Sequence, residues 1–121
     1  MNKLTGAVIG CAIEVHKVLG PGLLESAYEE SFCFELRQGG IPFERQKHLP
    51  IEYKGNLLDC GYRLDLVVDN RLILELKSCA KVEAIHKAQL LTYLKLTGIR
   101  TGLLINFNVP VLKDGIKRLV L

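Results

Sequence analysis

The apolar positions of the first forty residues follow a helical period. From Thr5 to Leu19 they recur at three- and four-residue steps, which predicts a first helix with Thr5 as its candidate N-cap. Gly20-Pro21-Gly22 interrupts this pattern, and a second helical period runs from about Leu23 to Gln38, before Gly39-Gly40. Two helices are therefore expected ahead of the first strand.

The following residues alternate over shorter stretches that are rich in Ile, Val, Leu and Tyr. Turn-forming residues at 54–56 and 69–70 divide these stretches. Three strands are predicted, near residues 43–53, 57–68 and 72–78.

The last forty residues return to a helical period and then to strands. Helical spacing runs from Val82 to Leu96 and ends before Gly98. Residues 102–107 predict a buried strand and residues 116–121 a shorter edge strand. This order of elements predicts an α/β fold, a mixed central sheet flanked by helices, in a single domain over residues 1–121.

Composition narrows the class of protein. A hydrophobic fraction of 49% with 24% charged residues argues against disorder, and the formal charge of +3 permits nucleic-acid binding without predicting it. The chain lacks a long apolar run and a signal-peptide pattern, so we expect a cytoplasmic protein with no membrane partner. The four cysteines form no CxxC pair, which gives no indication of a zinc ribbon. The apolar content leaves the oligomeric state open and is compatible with a homodimer.

The candidate chemistry lies between Arg63 and Lys77, where two stretches alternate strictly. One predicted face is aliphatic and consists of Leu64, Leu66, Val68, Leu72, Leu74 and Leu76. The opposite face then carries Asp65, Glu75 and Lys77, with Glu75 and Lys77 about 7 Å apart along one strand. The alternation therefore predicts that two acids and a lysine share a face.

Only one hairpin register keeps the aliphatic residues on one face and the two acids together on the other. It places Leu66 opposite Leu74 and Asp65 opposite Glu75. A two-residue turn of Asp69 and Asn70 would shift the register by one residue and separate the two carboxylates. We therefore predict a three-residue connection, Asp69 to Arg71, formed by a type I turn and a bulge, or else another odd-length connection or a compensating bulge.

Paired carboxylates repel each other unless a cation neutralises them, and oxygen ligands suit Mg²⁺ or Mn²⁺. A divalent-metal site at Asp65 and Glu75 is therefore one interpretation, with Lys77 positioned to hold an attacking water and to offset charge on a phosphate. The other interpretation is a solvated sheet face on which Lys77 merely pairs with one of the acids.

Three motifs resemble those of a known family. Asp65 followed by Glu75-Leu76-Lys77 resembles the D…(D/E)XK signature of the PD-(D/E)XK nuclease superfamily, with Leu64 in place of the usual proline. Residues 22–28 (GLLESAY) resemble the motif of the GxxExxY family within that superfamily, and residues 89–93 (QLLTY) are similar to the QxxxY element of RecB-type exonucleases. The resemblance implies a restriction-endonuclease-like core and a nuclease activity on DNA or RNA that depends on Mg²⁺ or Mn²⁺.

The resemblance also implies roles for residues outside the hairpin. Glu25 becomes an additional acid and metal ligand, although an acid in the first turn of a helix also stabilises the helix dipole. Tyr28 and Phe32 follow Glu25 at helical steps and are expected to pack the helix against the sheet.

The third helix carries candidate nucleic-acid contacts. Gln89, Tyr93 and His86 share one stripe of that helix and could contact a phosphate and a base, while a packed or solvated histidine is the alternative for His86. The leading functional hypothesis is metal-dependent hydrolysis of nucleic-acid phosphodiesters. The alternative is a nuclease-fold module that binds nucleic acid or a partner with weak or no catalysis.

Overall fold

The computed structural model describes residues 2–121. They form helices and strands, as the sequence pattern predicts. The helices are α1 (Asn2–Leu19), α2 (Glu25–Gln38) and α3 (Ala84–Thr97). The strands are β1 (Phe43–His48), β2 (Ile51–Tyr53), β3 (Asn56–Leu58), β4 (Arg63–Val68), β5 (Leu72–Lys77), β6 (Thr101–Asn106) and β7 (Ile116–Val120). A short 3-10 helix, Leu112–Gly115, precedes β7.

Five of the strands form one mixed sheet in the order β1-β4-β5-β6-β7. β5 and β6 are parallel and are connected through α3, whereas the other neighbouring strands are antiparallel. The predicted fold class, a mixed central sheet flanked by helices, is confirmed. Within residues 2–121, no helix has both the length and the apolar character that crossing a membrane requires.

Two predictions about where elements begin and end were wrong. Thr5 is not an N-cap, because α1 already begins at Asn2 and Thr5 is buried inside it. The predicted first and second strands are each divided, and β2 and β3 form a separate two-stranded hairpin. Pro50 lies at the first division, and proline has no backbone N–H with which to continue a ladder. The β2–β3 hairpin then turns at Gly55, whose φ of 82° suits glycine.

Helices cover both faces of the sheet, which gives two hydrophobic layers. The first layer joins α1 and α2 to Leu66, Val68, Leu72, Leu74 and Leu76 of the hairpin. The second layer joins α3 to Leu64, Val67, Ile73 and Leu104. The prediction of one aliphatic face on the hairpin is therefore right for five of its six residues and wrong for Leu64, which packs in the second layer.

Leu64 packs in the second layer, not the first, because the backbone beside it is irregular. The β1–β4 ladder pairs Arg45 with Leu66 and Lys47 with Leu64, and skips the residues between them, Gln46 and Asp65. Gln46 has a φ of 51°, in the left-handed region. Strict alternation of side chains fails at such a break, and irregularities of this kind are common beside functional sites. The break lies at the first candidate acid, Asp65.

The register of the β4–β5 hairpin is confirmed, because Leu66 pairs with Leu74 and Val68 with Leu72. The connection spans three residues, as predicted, but its turn is not of type I. Asp69 and Asn70 have φ values of 52° and 53°, and the Arg71 N–H donates to the Val68 carbonyl. Positive φ at both central positions defines a type I′ turn, which Asp and Asn tolerate and which fits the twist of the strands. Arg71 is then the extra residue that preserves the register.

Candidate active site

Asp65 and Glu75 meet where the β4–β5 ladder ends. Regular pairing between the strands stops at Leu66 and Leu74, one residue short of the two acids. Beyond that point the Asp65 carboxylate accepts a hydrogen bond from the Leu76 N–H at 2.8 Å, and the Glu75 carboxylate lies 3.5 Å from the Asp65 N–H. Carboxylate oxygens thus take the place of main-chain carbonyls as acceptors, and this holds both acids at the end of the hairpin.

The two carboxyl groups perturb each other strongly. Glu75 is 6% exposed, and its burial, with the nearby charge of Asp65, raises its pKa from 4.5 to about 8. Burial also raises the pKa of Asp65, although the hydrogen bond from the Leu76 N–H opposes that rise. Both shifts favour a protonated carboxyl group in the pair, and the larger one is at Glu75. A cation placed beside the two groups would relieve the same repulsion.

Lys77 ends β5 two residues after Glu75 and is half-buried. Its positive charge favours the ionised forms of Asp65 and Glu75, but none of the salt bridges in residues 2–121 includes it. The ammonium group is near enough to influence the acids through its field without being held by either. This arrangement does not match a lysine that merely neutralises a surface carboxylate.

The loop that follows Lys77 is fixed by Asn106, the parallel partner of Lys77 on β6. The Asn106 amide is 3% exposed, accepts from the Cys79 N–H at 3.1 Å and donates to the Cys79 carbonyl at 3.0 Å. A buried amide with both ends bonded to one loop residue defines the position of that loop. Asn106 was not predicted as a site residue, although its polar side chain directly after the apolar run Leu103-Leu104-Ile105 was an available signal.

The segment before α2 reaches the site through Ser78. The Ser78 hydroxyl donates to the Leu23 carbonyl at 2.5 Å, and the Ser78 N–H donates to the Glu25 carboxylate at 3.4 Å. Glu25 is therefore placed one residue beyond Lys77, at the same end of β5. It is exposed, and no hydrogen bond joins it to Asp65 or Glu75.

Tyr28 holds the segment before α2 in place. Its ring stacks on Phe107 at 4.5 Å between centroids, and its hydroxyl donates to the Gly20 carbonyl at 2.6 Å and accepts from the Leu23 N–H at 3.1 Å. Phe32 meets the same Phe107 ring edge-on. Both aromatic residues are fully buried, so their predicted packing role is confirmed. Gly22, with a φ of 99°, supplies a backbone conformation that few other residues adopt.

Glu29, not Glu25, is the acid of α2 whose charge acts on Asp65. Glu29 is buried and bonds the Arg45 guanidinium at 2.7 Å and the Gln46 amide at 2.6 Å. The same Gln46 amide nitrogen lies 3.5 Å from the other oxygen of Asp65. The sequence analysis missed Glu29 and Gln46. Glu29 follows Glu25 by one helical turn, a spacing that could have identified it, whereas no sequence pattern marks Gln46.

The three predicted residues of α3 line one groove of about 770 Å³. Tyr93 is 6% exposed, and its burial, followed by the nearby charge of Glu75, raises the pKa of its phenol. Gln89 is half-buried on the same groove. His86 uses Nδ1 to accept the Glu83 N–H at 3.0 Å, as part of a capping box at the start of α3.

The donor chemistry of the acid pair fits a hard divalent cation. Asp65 and Glu75 offer only oxygen atoms, and their mutual repulsion in a buried setting favours a positive charge. Within residues 2–121, no group of three His, Cys, Asp or Glu side chains is placed to hold an ion together. Glu25 is therefore not gathered with the pair. Mg²⁺ commonly retains several waters and needs only one or two protein carboxylates, which two acids satisfy.

The chain matches one family model, that of the PD-(D/E)XK nuclease superfamily, over residues 2–119. No curated protein and no solved structure gave a significant match. The matched range includes the β4–β5 hairpin, the segment before α2 and the groove beside α3.

Proposed function

Because the chain belongs to the PD-(D/E)XK nuclease superfamily, whose members are usually hydrolytic nucleases, we propose that it hydrolyses phosphodiester bonds in DNA or RNA. The observation that carries this proposal is the meeting of Asp65 and Glu75 at the end of the hairpin. The hydrogen bonds that hold the two acids together and the raised pKa of Glu75 support a site that a cation would stabilise. Lys77 adjoins them without an ion-pair partner.

Asp65 and Glu75 would hold a divalent ion, Mg²⁺ or Mn²⁺, in agreement with the general use of such ions in the superfamily. A bound ion of this kind polarises a phosphoryl oxygen and makes water a better nucleophile at neutral pH. Glu25, which Ser78 holds at the same end of β5, is the proposed accessory acid, and it would act on the ion through a bound water. Gln46 and Glu29 orient Asp65 from the opposite side.

Lys77 is proposed to act on the reacting atoms. Its ammonium group can donate a hydrogen bond to the attacking water and offset the negative charge that develops on the phosphate. The water oxygen forms a new bond to phosphorus while one ester P–O bond breaks. The leaving oxygen becomes a hydroxyl, taking up a proton equivalent to the one that water loses. The products are a phosphate monoester end and a free hydroxyl end.

Within the superfamily, we assign the chain to the GxxExxY family. Each position of that motif has an identifiable role: Gly22 adopts a φ of 99°, Glu25 contacts Ser78, and the Tyr28 hydroxyl bonds both Gly20 and Leu23. The motif thus docks the start of α2 on the end of β5, beside the acids.

We propose nucleic-acid contacts for Gln89, Tyr93 and His86, which line the groove next to Glu75. All four cysteines are free thiols, which agrees with action in the reducing cytoplasm. The single-domain organisation and the homodimer remain predictions.

A metal titration with labelled substrates tests the proposal. Single- and double-stranded DNA and RNA are incubated with the protein in EDTA, Mg²⁺ or Mn²⁺, and the products are resolved by length. We expect cleavage only with metal, and its loss in Asp65→Asn. Glu14→Gln, which removes an exposed acid of α1 outside the site, should cleave normally. Binding of a substrate without any metal-dependent product would instead indicate a binding module.

A further inference from the structure

We propose that the groove between Tyr62 and α3 binds an unpaired nucleobase of the substrate, stacked on the Tyr62 ring. This inference rests on the proposed nuclease function and specifies its substrate class. It predicts a preference for single strands, frayed ends or flaps over continuous duplex. Tyr62 lies in the segment before β4, three residues ahead of Asp65.

The lining of the groove favours a flat, uncharged ligand. Its polar and aromatic side chains are Cys60, Tyr62, His86, Gln89, Thr92 and Tyr93, and the rest are aliphatic. Within the described residues, no Lys, Arg, Asp or Glu is among the lining side chains. A phosphate would have no cationic partner in this groove. A volume of about 770 Å³ is within the range of small-molecule sites and accommodates a nucleoside.

Tyr62 supplies an open aromatic surface. Its side chain is 44% exposed, and its ring meets the edge of Tyr93 at 6.5 Å with an interplanar angle of 68°. Tyr93 is almost completely buried and supports Tyr62 from the floor of the groove. A supported ring with an exposed face is suited to base stacking, which tolerates every base because each has a π-face.

Hydrogen-bonding groups border this surface. The Nδ1 atom of His86 accepts the Glu83 N–H, so the neutral ring carries its hydrogen on Nε2 and offers a donor there. Gln89 offers both a carbonyl oxygen and an amide group. Such groups can pair with the Watson–Crick edge of a base, which is accessible only when the base is unpaired.

The groove lies close to the acid pair. Tyr93 lies within the field of both Glu75 and Asp65, and the chain between Tyr62 and Asp65 spans about 10 Å if extended. A base stacked on Tyr62 would therefore place a neighbouring phosphate toward Asp65 and Glu75. In a continuous duplex that base is paired and stacked, so it would first have to leave the helix.

Binding is measured in EDTA, which prevents metal-dependent cleavage, with single strands that carry 2-aminopurine, a fluorescent adenine analogue quenched by stacking. We expect quenching and binding with the wild-type protein and with Tyr62→Phe. Tyr62→Leu, which keeps an apolar side chain of similar bulk, and Tyr62→Ala should lose the quenching and bind about tenfold more weakly. An abasic single strand and a blunt duplex should also bind about tenfold more weakly to the wild-type protein.

Tyr53→Ala is the matched control, because Tyr53 is 58% exposed on β2 but does not line the groove, and it should behave as wild type. Equal quenching in the wild type and Tyr62→Leu, or equal affinity for normal and abasic strands, would overturn the inference. A separate cleavage assay of the wild type and Tyr62→Leu distinguishes failure of the stacking inference from failure of the nuclease proposal. Cleavage that is independent of Tyr62 refutes base stacking alone, whereas Tyr62-dependent stacking without cleavage in Mg²⁺ or Mn²⁺ refutes the nuclease function alone.

Discussion

Glu75 loses most of its contact with water because β5 is the central strand of the sheet and helices cover both faces. A carboxylate in such a position is stable only with a compensating charge, and Lys77 supplies just part of it through its field. Ionised Glu75 therefore contributes an unfavourable electrostatic free energy to the folded state. A protonated Glu75, or a bound cation, relieves that cost.

Without metal, the free energy of unfolding should fall as pH rises. The pKa of Glu75 is raised from 4.5 to about 8 in the folded chain, so between these values the folded state binds more protons than the unfolded state. The resulting stability is complete below the unfolded pKa and is lost as pH rises through the folded pKa. We expect a decline on the order of 1 kcal/mol per pH unit.

Urea unfolding in EDTA from pH 5 to pH 9 measures this decline. Glu75→Gln keeps the acceptor oxygen but removes the titration, so its unfolding free energy should vary less with pH. Equal slopes for the two proteins would show that Glu75 titrates normally in the folded chain.

Lys77→Ala should reduce cleavage far more than metal affinity. The acids bind the ion in this account, whereas Lys77 acts on the nucleophile and on the developing phosphate charge. Loss of one such electrostatic group costs about 100- to 1000-fold in rate. Calorimetry with Mn²⁺ should give a near wild-type affinity for Lys77→Ala and a much weaker one for Glu75→Ala. Equal losses of affinity would contradict the division of roles.

At the scale of elements, the contact between β6 and the 3-10 helix positions the end of the sheet. A Cβ atom on Gly115 would lie 2.1 Å from the Asn106 carbonyl oxygen, which is backbone and cannot move aside cheaply. Asn106 in turn fixes the loop after Lys77. Gly115 therefore allows the close approach on which this loop depends.

We expect Gly115→Ala to destabilise the fold by about 1–3 kcal/mol, because the added methyl group displaces backbone. Gly10→Ala is the matched control, since Gly10 is exposed within α1 and its Cβ would meet no atom within 4 Å. That substitution should stabilise the protein by about 0.5–1 kcal/mol. Thermal unfolding of both variants tests the pair, and a neutral Gly115→Ala would show that β6 and the 3-10 helix separate easily.

The hairpin illustrates how far a sequence pattern can determine structure. The aliphatic positions and the two acids are each consistent with the same register. The pairing of Leu66 with Leu74 could therefore be predicted without knowledge of the turn. The turn type could not, because Asp69 and Asn70 tolerate both right- and left-handed conformations. The position of Leu64 also escaped prediction, since the break at Asp65 depends on Gln46 of another strand.

The candidate site shows the same limit. Motif spacing predicts Asp65, Glu75, Lys77 and Glu25 as site residues because each lies at a fixed offset within one hairpin or one helix start. The contact of Glu29 with Gln46 joins α2 to β1, and its geometry depends on how the helix docks on the sheet. Amino-acid spacing along one element does not contain that information.

At the scale of the whole molecule, three parts of the chain converge on one end of the sheet. The hairpin contributes the acids, α2 and the segment before it contribute Glu29 and Glu25, and β6 orders the loop beyond Lys77. Tyr93, which lines the groove beside α3, lies within the field of the same acids. The two hydrophobic layers hold these parts in fixed relation, so the proposed metal site depends on the complete fold.

The central claim is that Asp65 and Glu75 together bind a divalent ion, and Mn²⁺ tests it directly because electron paramagnetic resonance counts the free ion. Titration of the wild-type protein at pH 7.5 should show one saturable site. Asp65→Asn, which keeps the shape of the side chain but removes its charge, should weaken that site at least about tenfold. The exposed-acid control Glu14→Gln should retain it. Equal Mn²⁺ affinity in the wild type and Asp65→Asn would contradict the account.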